Sequence, residues 1–439
     1  MVDGGSCCYA CGVKTERLGL DFWKFWGGQT ISNLGSSFTG FALPLLVFKL
    51  THSALNLGAT TAAYFVPYLL FGLVIGAWVD RVDRKRLMIA VDLGRAGVIA
   101  TIPVAAYAGV LSVWWIYAAT FATACLTIAF DSSEFAAIPS LVRSDNLVAA
   151  NGRIMASYQT AQISGPLLAG LLVALVRIED VLFVDAASFL VSALSLASIA
   201  RGFNPAEAPE RKQIRRDVQE GLRYVLGHPV LRNISLMMAL FNFVGSTTWA
   251  QLVLFGKERL HASDARVGVL FAAGSAGIAV LGLAAGPIRK RVRFSVAALG
   301  GLMTSALMLI ALSTTRTYWL GLLLWAGVSG FGLFFNINTQ SLRQAIVPSH
   351  MMGRVWSIAG VLAWSAIPVG TLIGGAVIKA TGNVAVVYAG IGIIEVAIAA
   401  AFWAFTALGR AEQYLPTSEP AAAVGGNTAA LAPEATELA

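Results

Sequence analysis

"GAWVDRVDRKR", residues 76–86, puts six charged side chains into the seven positions from Asp80 to Arg86, in a 439-residue chain where 12% of residues are charged. Long apolar runs flank it on both sides. The chain is 57% hydrophobic, against about 45–50% in soluble domains. Stretches such as "IPVAAYAGVLSVWWIYAATFATACLTIAF" exceed the roughly 20 apolar residues needed to cross a bilayer core. In lipid such a stretch has to satisfy its own backbone hydrogen bonds, so it must be helical. The charged segment is therefore a loop between two membrane-spanning helices.

Working outward from that loop, apolar runs between charged breaks predict six spans at 25–49, 55–79, 87–109, 113–138, 148–176 and 181–200. A polar break follows, then six more at 233–256, 265–288, 294–313, 318–345, 354–379 and 384–408. With the N-terminus in the cytoplasm, 24 of the 31 Lys and Arg fall on the inner side or inner half of the spans, the bias that orients membrane proteins. The net charge of +8 is then a topology signal, and nucleic acid is not needed to explain it. The first twenty residues carry no apolar h-region, so the first span is expected to serve as an uncleaved signal.

The expected organisation is a cytoplasmic N-terminus (1–20), a six-helix bundle (21–201), a cytoplasmic linker (202–229), a second six-helix bundle (230–410) and a tail (411–439) with neither apolar periodicity nor bulky side chains. In the linker, Ile214, Val218, Leu222 and Val225 recur at helical spacing, with Arg215, Arg216 and Arg223 elsewhere on the wheel. That pattern predicts a basic amphipathic helix lying on anionic headgroups. Cys7, Cys8 and Cys11 sit in "CCYAC" and Cys125 lies within a span, so a four-ligand zinc site is not expected. No metal or cofactor is called for. With four His and no nucleophile–base spacing, neither is an enzyme.

The halves resemble one another. "AAIPSLV" closes span four and "QAIVPSH" span ten; "NGRIMAS" opens span five and "MGRVWSI" span eleven; "GLAAGPIRKRVR" after span eight is an acid-free counterpart of the opening loop. Together these motifs resemble the major facilitator superfamily, an all-α fold of twelve transmembrane helices in two pseudo-symmetric bundles. "ISNLGSSFTGFALPLLVFKLTHSA", "AAIPSLVRSDNLVAANG" and "VQEGLRYVLGHPVLR" resemble its third drug:proton antiporter family, which includes macrolide-efflux and enterobactin-exporter-like carriers. The resemblance implies a monomeric inner-membrane exporter of amphiphilic small molecules, working by proton antiport and rocker-switch alternating access. Carriage of a siderophore or lysophospholipid, and a non-transporting sensor or scaffold, are the alternatives.

The resemblance also distributes roles. Gly76, Asp80, Arg81, Arg84 and Lys85 would form a conformational latch, Asp80 meeting span eleven and Arg84 pairing with Asp131 or Glu134 of span four. The alternative is a topology anchor only. Asp83, where the superfamily prefers Gly, either alters the turn or adds a partner for Arg81 or Arg86. Matching Pro139 to Pro348 sets Glu134 against Arg343, a second latch. Asp131 and Glu134, acids one turn apart within span four, are also the proton-coupling candidates; relatives carry an acid just after the span-one Gly, where this chain has Ser36, so the resemblance leaves the coupling site open. Asp92 and Arg95, three residues apart, are expected to neutralise each other.

Gly165, Pro166 and Gly170 match an antiporter motif in span five, where small residues permit close packing. Polar and aromatic residues of spans one, four, seven and ten are the cavity candidates: Gln29, Asn33, Phe38, Thr127, Asn242, Trp249, Gln251, Trp325 and Asn336. Asp185 is placed near the outer headgroups, and Glu395 has no assigned role.

Overall fold

Each apolar run becomes a helix whose ends fall within a few residues of the charged or Gly/Pro breaks in the sequence. The computed structural model describes residues 18–79, 81–143, 146–204, 214–348 and 351–414. The "CCYAC" segment, Asp80, the linker from 205 to 213 and the tail from 415 lie outside the described residues.

The first half comprises α1 (Leu20–Thr51), α2 (Ala54–Val79), α3 (Arg84–Tyr107), α4 (Val113–Leu141), α5 (Leu147–Leu172) and α6 (Val181–Ala197); α7 (Ile214–Gly227) links the halves. The second half comprises α8 (Pro229–Ala250), α9 (Leu252–Glu258), α10 (Asp264–Arg291), α11 (Phe294–Thr314), α12 (Tyr318–Ile346), α13 (Met352–Trp364), α14 (Ala366–Thr381) and α15 (Val384–Phe405).

Among the described residues, ten helices qualify as membrane spans by length and apolarity, and the bent pair α8–α9 makes an eleventh. The remaining expected span is α5, whose 26 residues cover about 39 Å at 1.5 Å per residue. Asn151, Arg153, Gln159 and Gln162 lower its apolarity. Two expected spans are interrupted. The seventh bends by 47° between α8 and α9, and Tyr388 Oη donates to the Thr248 carbonyl beside the bend at 2.6 Å. The eleventh is interrupted for one residue at Ser365, one turn before Pro368, which lacks the N–H that would continue the ladder, while Ile358–Thr381 still runs on as one span.

Asp83 resolves the question that its position raises. It is the N-cap of α3, its Oδ1 accepting from the Arg86 backbone N–H at 2.9 Å, and its carboxylate lies 3.9 Å from Arg86 Nε. Lys24 donates to the Ser198 carbonyl, Lys85 to that of Ile199 and Arg201 to that of Ser140. The starts of α1 and α3 and the ends of α4 and α6 therefore gather at one end of the bundle, the basic end.

The halves join at the opposite, far end. One apolar core there draws residues from both halves, including Phe41, Leu46 and Leu57 with Leu252, Phe255 and Leu270. Towards the basic end the cores separate: Phe25, Met88, Phe130 and Leu196 in the first half, Ile234, Leu302, Phe335 and Phe402 in the second.

At the far end Lys49 and Lys257 both engage Asp264, and Gln251 Nε2 donates to the Ala54 carbonyl at 2.7 Å. Two crossings with pseudo-twofold correspondence complete the joint. A Cβ at Gly58 on α2 would lie 2.4 Å from the Thr371 carbonyl oxygen on α14, and one at Gly268 on α10 would lie 2.5 Å from that of Pro166 on α5. No L side chain fits at either point without displacing backbone.

The linker helix α7 does not offer all of its apolar face to lipid. Val225 is buried against Leu231, Val347, Val355 and Ile358, while Leu222 and Leu226 stay exposed.

Candidate functional site

Between the halves lies a cavity of about 630 Å³, lined from α1, α2, α3, α4, α5, α6, α8 and α10. A second cavity of about 420 Å³ continues towards the basic end, bounded by α2 and α4 on one side and α8, α12 and α13 on the other. Asp131 lines both and is exposed to them.

Four charged side chains of the first half face the larger cavity: Arg95, Asp131, Glu134 and Asp185. Arg95 pairs with Asp92, as the sequence predicts. Ser192 Oγ donates to Asp92 Oδ2 at 2.6 Å, and Gln29 Nε2 donates to Ser192 Oγ at 3.0 Å. The guanidinium lies 4.2 Å and 4.4 Å from the ring centroids of Phe130 and Phe189. Two aromatic faces and a carboxylate thus hold one cation in an otherwise apolar setting.

Asp131 and Glu134 form no salt bridge among the described residues, and Glu134 Oε1 is buried without a hydrogen-bond partner. Ionised groups at mid-bilayer cost at least about 2.5–3.5 kcal/mol on insertion scales. Such acids are seldom retained for packing.

Asp185 corrects an expectation. Instead of reaching headgroups it is 1% exposed, accepts from Thr39 Oγ1 and Ser188 Oγ, and packs over Gly35, where a Cβ would lie 2.8 Å from its Oδ1. Asp185 and Ser36 line the same cavity. The carboxyl that the resemblance seeks on span one is delivered to that neighbourhood from span six. No linear motif could have announced it, because the contact joins residues 150 positions apart.

Of the nine cavity candidates, Gln29, Asn33, Thr127 and Trp249 line the larger cavity and Asn336 the smaller. The other four do not. Phe38 is 5% exposed and belongs to the shared core. Asn242 donates to the Ala363 carbonyl at 2.9 Å, beside the break between α13 and α14. Gln251 is fully buried at the far-end joint, and Trp325 is fully buried behind Trp249, ring centroids 5.0 Å apart. Polarity within a span marked Asn242 and Gln251, and aromatic surface marked Phe38 and Trp325, but helix breaks, interfaces and the core consume such groups as cavities do. Tyr64, Tyr158 and Phe271 line the cavity without having been singled out.

Of the latch residues, Asp80 lies outside the described residues, and Gly76 falls within α2. Arg81 is exposed, and Arg84 is nearly buried with its backbone N–H donating to Asn204 Oδ1 at 2.9 Å. Glu134 and Arg343 are not paired: an Arg343 terminal nitrogen lies 3.1 Å from Met238 Sδ, and its side chain lines the smaller cavity across from Asp131. Gly165 packs onto Ser37 of α1, and Gly170 lies against Ala265 and Gly268 of α10.

The family model of the Major Facilitator Superfamily matches residues 25–371. Macrolide efflux protein A of Streptococcus pyogenes is 24% identical over 376 residues, covering 82% of this chain and 90% of that protein. The multidrug efflux pump Tap of Mycolicibacterium fortuitum is 27% identical over 368 residues, covering 79% and 87%. A crystal structure of a bacterial homologue of the human lysosomal transporter Spinster, inward-facing and unoccupied, superposes with a TM-score of 0.68 over 90% of this chain and 97% of that one, at 17% identity. Fold and family are those of multi-pass membrane transporters, not of enzymes, and the chain belongs to the Major Facilitator Superfamily.

Proposed function

We propose that the chain is a plasma-membrane exporter of amphiphilic small molecules that exchanges substrate for protons by rocking its two halves about a central cavity. The observation that carries this reading is Asp131, a carboxylate without an ion-pair partner, exposed where both cavities meet. An acid so placed is available to a proton or to a substrate's polar group, and a ligand filling the larger cavity would meet Tyr64, Tyr158 and Trp249 of its lining. Aromatic contact is non-directional and tolerates varied shapes. The relatives named as efflux pumps support the direction.

In this reading the basic end is cytoplasmic and the structure is the inward-open state. Glu134 and Arg343 then belong to a latch that closes only when the cavities shut, joined by Asp80 and Arg84. The exposed side of α7, with Arg223, lies against anionic headgroups. The test is uptake of ethidium into proteoliposomes with an imposed pH gradient of either sign. Accumulation that follows the gradient and is lost in Asp131→Asn supports the reading, whereas movement indifferent to pH removes the antiport.

A further inference from the structure

The packing of Asp185 over Gly35 occurs twice. Gly245 on α8 and Glu395 on α15 stand 210 positions after Gly35 and Asp185, and a Cβ at Gly245 would lie 2.7 Å from Glu395 Oε1. The spacing is that of the repeat itself: α2 and α3 begin at Ala54 and Arg84, α10 and α11 at Asp264 and Phe294. Each half therefore buries a carboxyl of its sixth span against a glycine of its first.

The surroundings differ. At the same spacing, Ser36, which also bonds Asp185, is kept as Ser246, whose hydroxyl donates to the Phe243 carbonyl, whereas the other donors Thr39 and Ser188 become Trp249 and Ile398. The neighbouring polar network of Gln29, Asp92 and Ser192 becomes Ala239, Leu302 and Phe402, and Leu302 and Phe402 belong to the apolar core of the second half. Glu395 is 3% exposed and forms no hydrogen bond or salt bridge among the described residues.

Charged and titratable groups on the packed elements stand off or are engaged. α11 has none. Arg232 of α8 is 13 residues from Gly245, about 20 Å along the helix. Lys379 is in the last turn of α14, Lys257 of α9 is bound to Asp264, and Glu258 ends α9. Tyr388 of α15 donates to Thr248, and Arg410 and Glu412 lie beyond the end of α15.

We propose that Glu395 is a proton-binding site of the second half. A carboxylate with no donor and no counter-ion in an apolar core is costly, and a bound proton removes the charge. Packing has no use for a carboxyl here, since apolar side chains such as Leu302, Phe335 and Phe402 fill the rest of that core. The proton adds to one Glu395 oxygen when the site meets water and returns to water from the same oxygen, so only an O–H bond is made and broken. As a coupling site, though not as a proton site, Glu395 rests on the antiport reading above.

The experiment is infrared spectroscopy of the purified full-length protein in liposomes across a pH series, comparing wild type, Glu395→Gln and Asp185→Asn. The expected result is a protonated-carboxyl C=O band that fades as pH rises and is missing in Glu395→Gln but present in Asp185→Asn. Absence of any band attributable to Glu395, or a band that persists unchanged into strong alkali, overturns the proposal. Gln keeps the side-chain volume, and its unfolding midpoint reports whether the fold is intact. In a parallel arm, gradient-driven ethidium accumulation in Glu395→Gln should fall about tenfold. Wild type indifferent to the gradient would defeat the antiport reading while the infrared band still decides the proton site.

Discussion

A single methyl group at Gly268 should unlatch the far end. The Cβ of Gly268→Ala would fall 2.5 Å from the Pro166 carbonyl oxygen and 3.0 Å from Gly170 Cα, both backbone atoms that no rotamer change can move. Relief requires α5 and α10 to separate by about the missing ångström, and overpacking of this kind costs about 1–3 kcal/mol. The cost falls only on the state in which the far end is joined, so the equilibrium should move towards the state in which it parts by about 5- to 150-fold. Spin labels at Val110 and Arg316, exposed at the far ends of the two halves in a cysteine-free background, would report the distance between the halves by pulsed electron resonance. Gly58→Ala should act alike, since its Cβ would meet the Thr371 carbonyl oxygen at 2.4 Å. Gly97→Ala, with nothing within 4 Å, should leave the distribution unchanged. An unchanged distribution in both Gly268→Ala and Gly58→Ala would refute the assignment of these crossings as the joint.

Arg95→Ala leaves Asp92, which is 0% exposed, without its counter-ion and should cost about 3–5 kcal/mol of stability; Asp92→Asn in the same chain should recover part of it, and equal unfolding midpoints for single and double variants would show that the pair is not coupled. Asp264→Asn removes the negative charge and one of the two oxygens that engage Lys49 and Lys257 and should add to the Gly268→Ala shift, read as a larger long-distance fraction between the same labels. Charge reversal of Glu134 or Arg343 alone should reduce ethidium transport and the double swap restore it; additive losses would mean that the two never meet.

How much was legible in the sequence depended on what each signal measures. The helix ends follow from apolar run length and charged punctuation, and α2, α3 and α4 begin within three residues of their expected positions. The two interrupted spans escaped because an interruption at Gln251 or Ser365 depends on which neighbour takes the freed carbonyls. Asp92 with Arg95 was readable because three residues on a helix are always neighbours. Asp185 with Thr39, and Glu395 with Gly245, were not, because only the packing of the first helix of each half on the sixth brings them together. Four cavity candidates failed for the converse reason: Phe38, Asn242, Gln251 and Trp325 lie on spans that do border the cavity, but on other faces of them.

The antiporter motif divides on the same reasoning. Gly165 packs onto Ser37, and in the second half Gly374 packs onto Thr247, with would-be Cβ distances of 1.7 and 1.9 Å from the hydroxyl oxygens. Gly170 meets Ala265 as Gly375 meets Ala54. The close approaches of the motif are thus features of both halves, and a property shared by both crossings cannot by itself choose a direction of transport. What distinguishes the first is Pro166, whose carbonyl faces Gly268 where Thr371 faces Gly58. Proline withholds one backbone N–H within α5; threonine in α14 keeps its N–H and turns its hydroxyl back to the Pro368 carbonyl at 3.1 Å. Pro166→Thr would give the first crossing the residue that faces Gly58 in the second. If the motif acts through packing, the variant should keep the sign of ethidium movement under either imposed gradient and change only its rate, with altered packing of α5 on α10 shifting the distance between the Val110 and Arg316 labels. Reversal of the sign, with the label distances unchanged, would place direction in Pro166 itself.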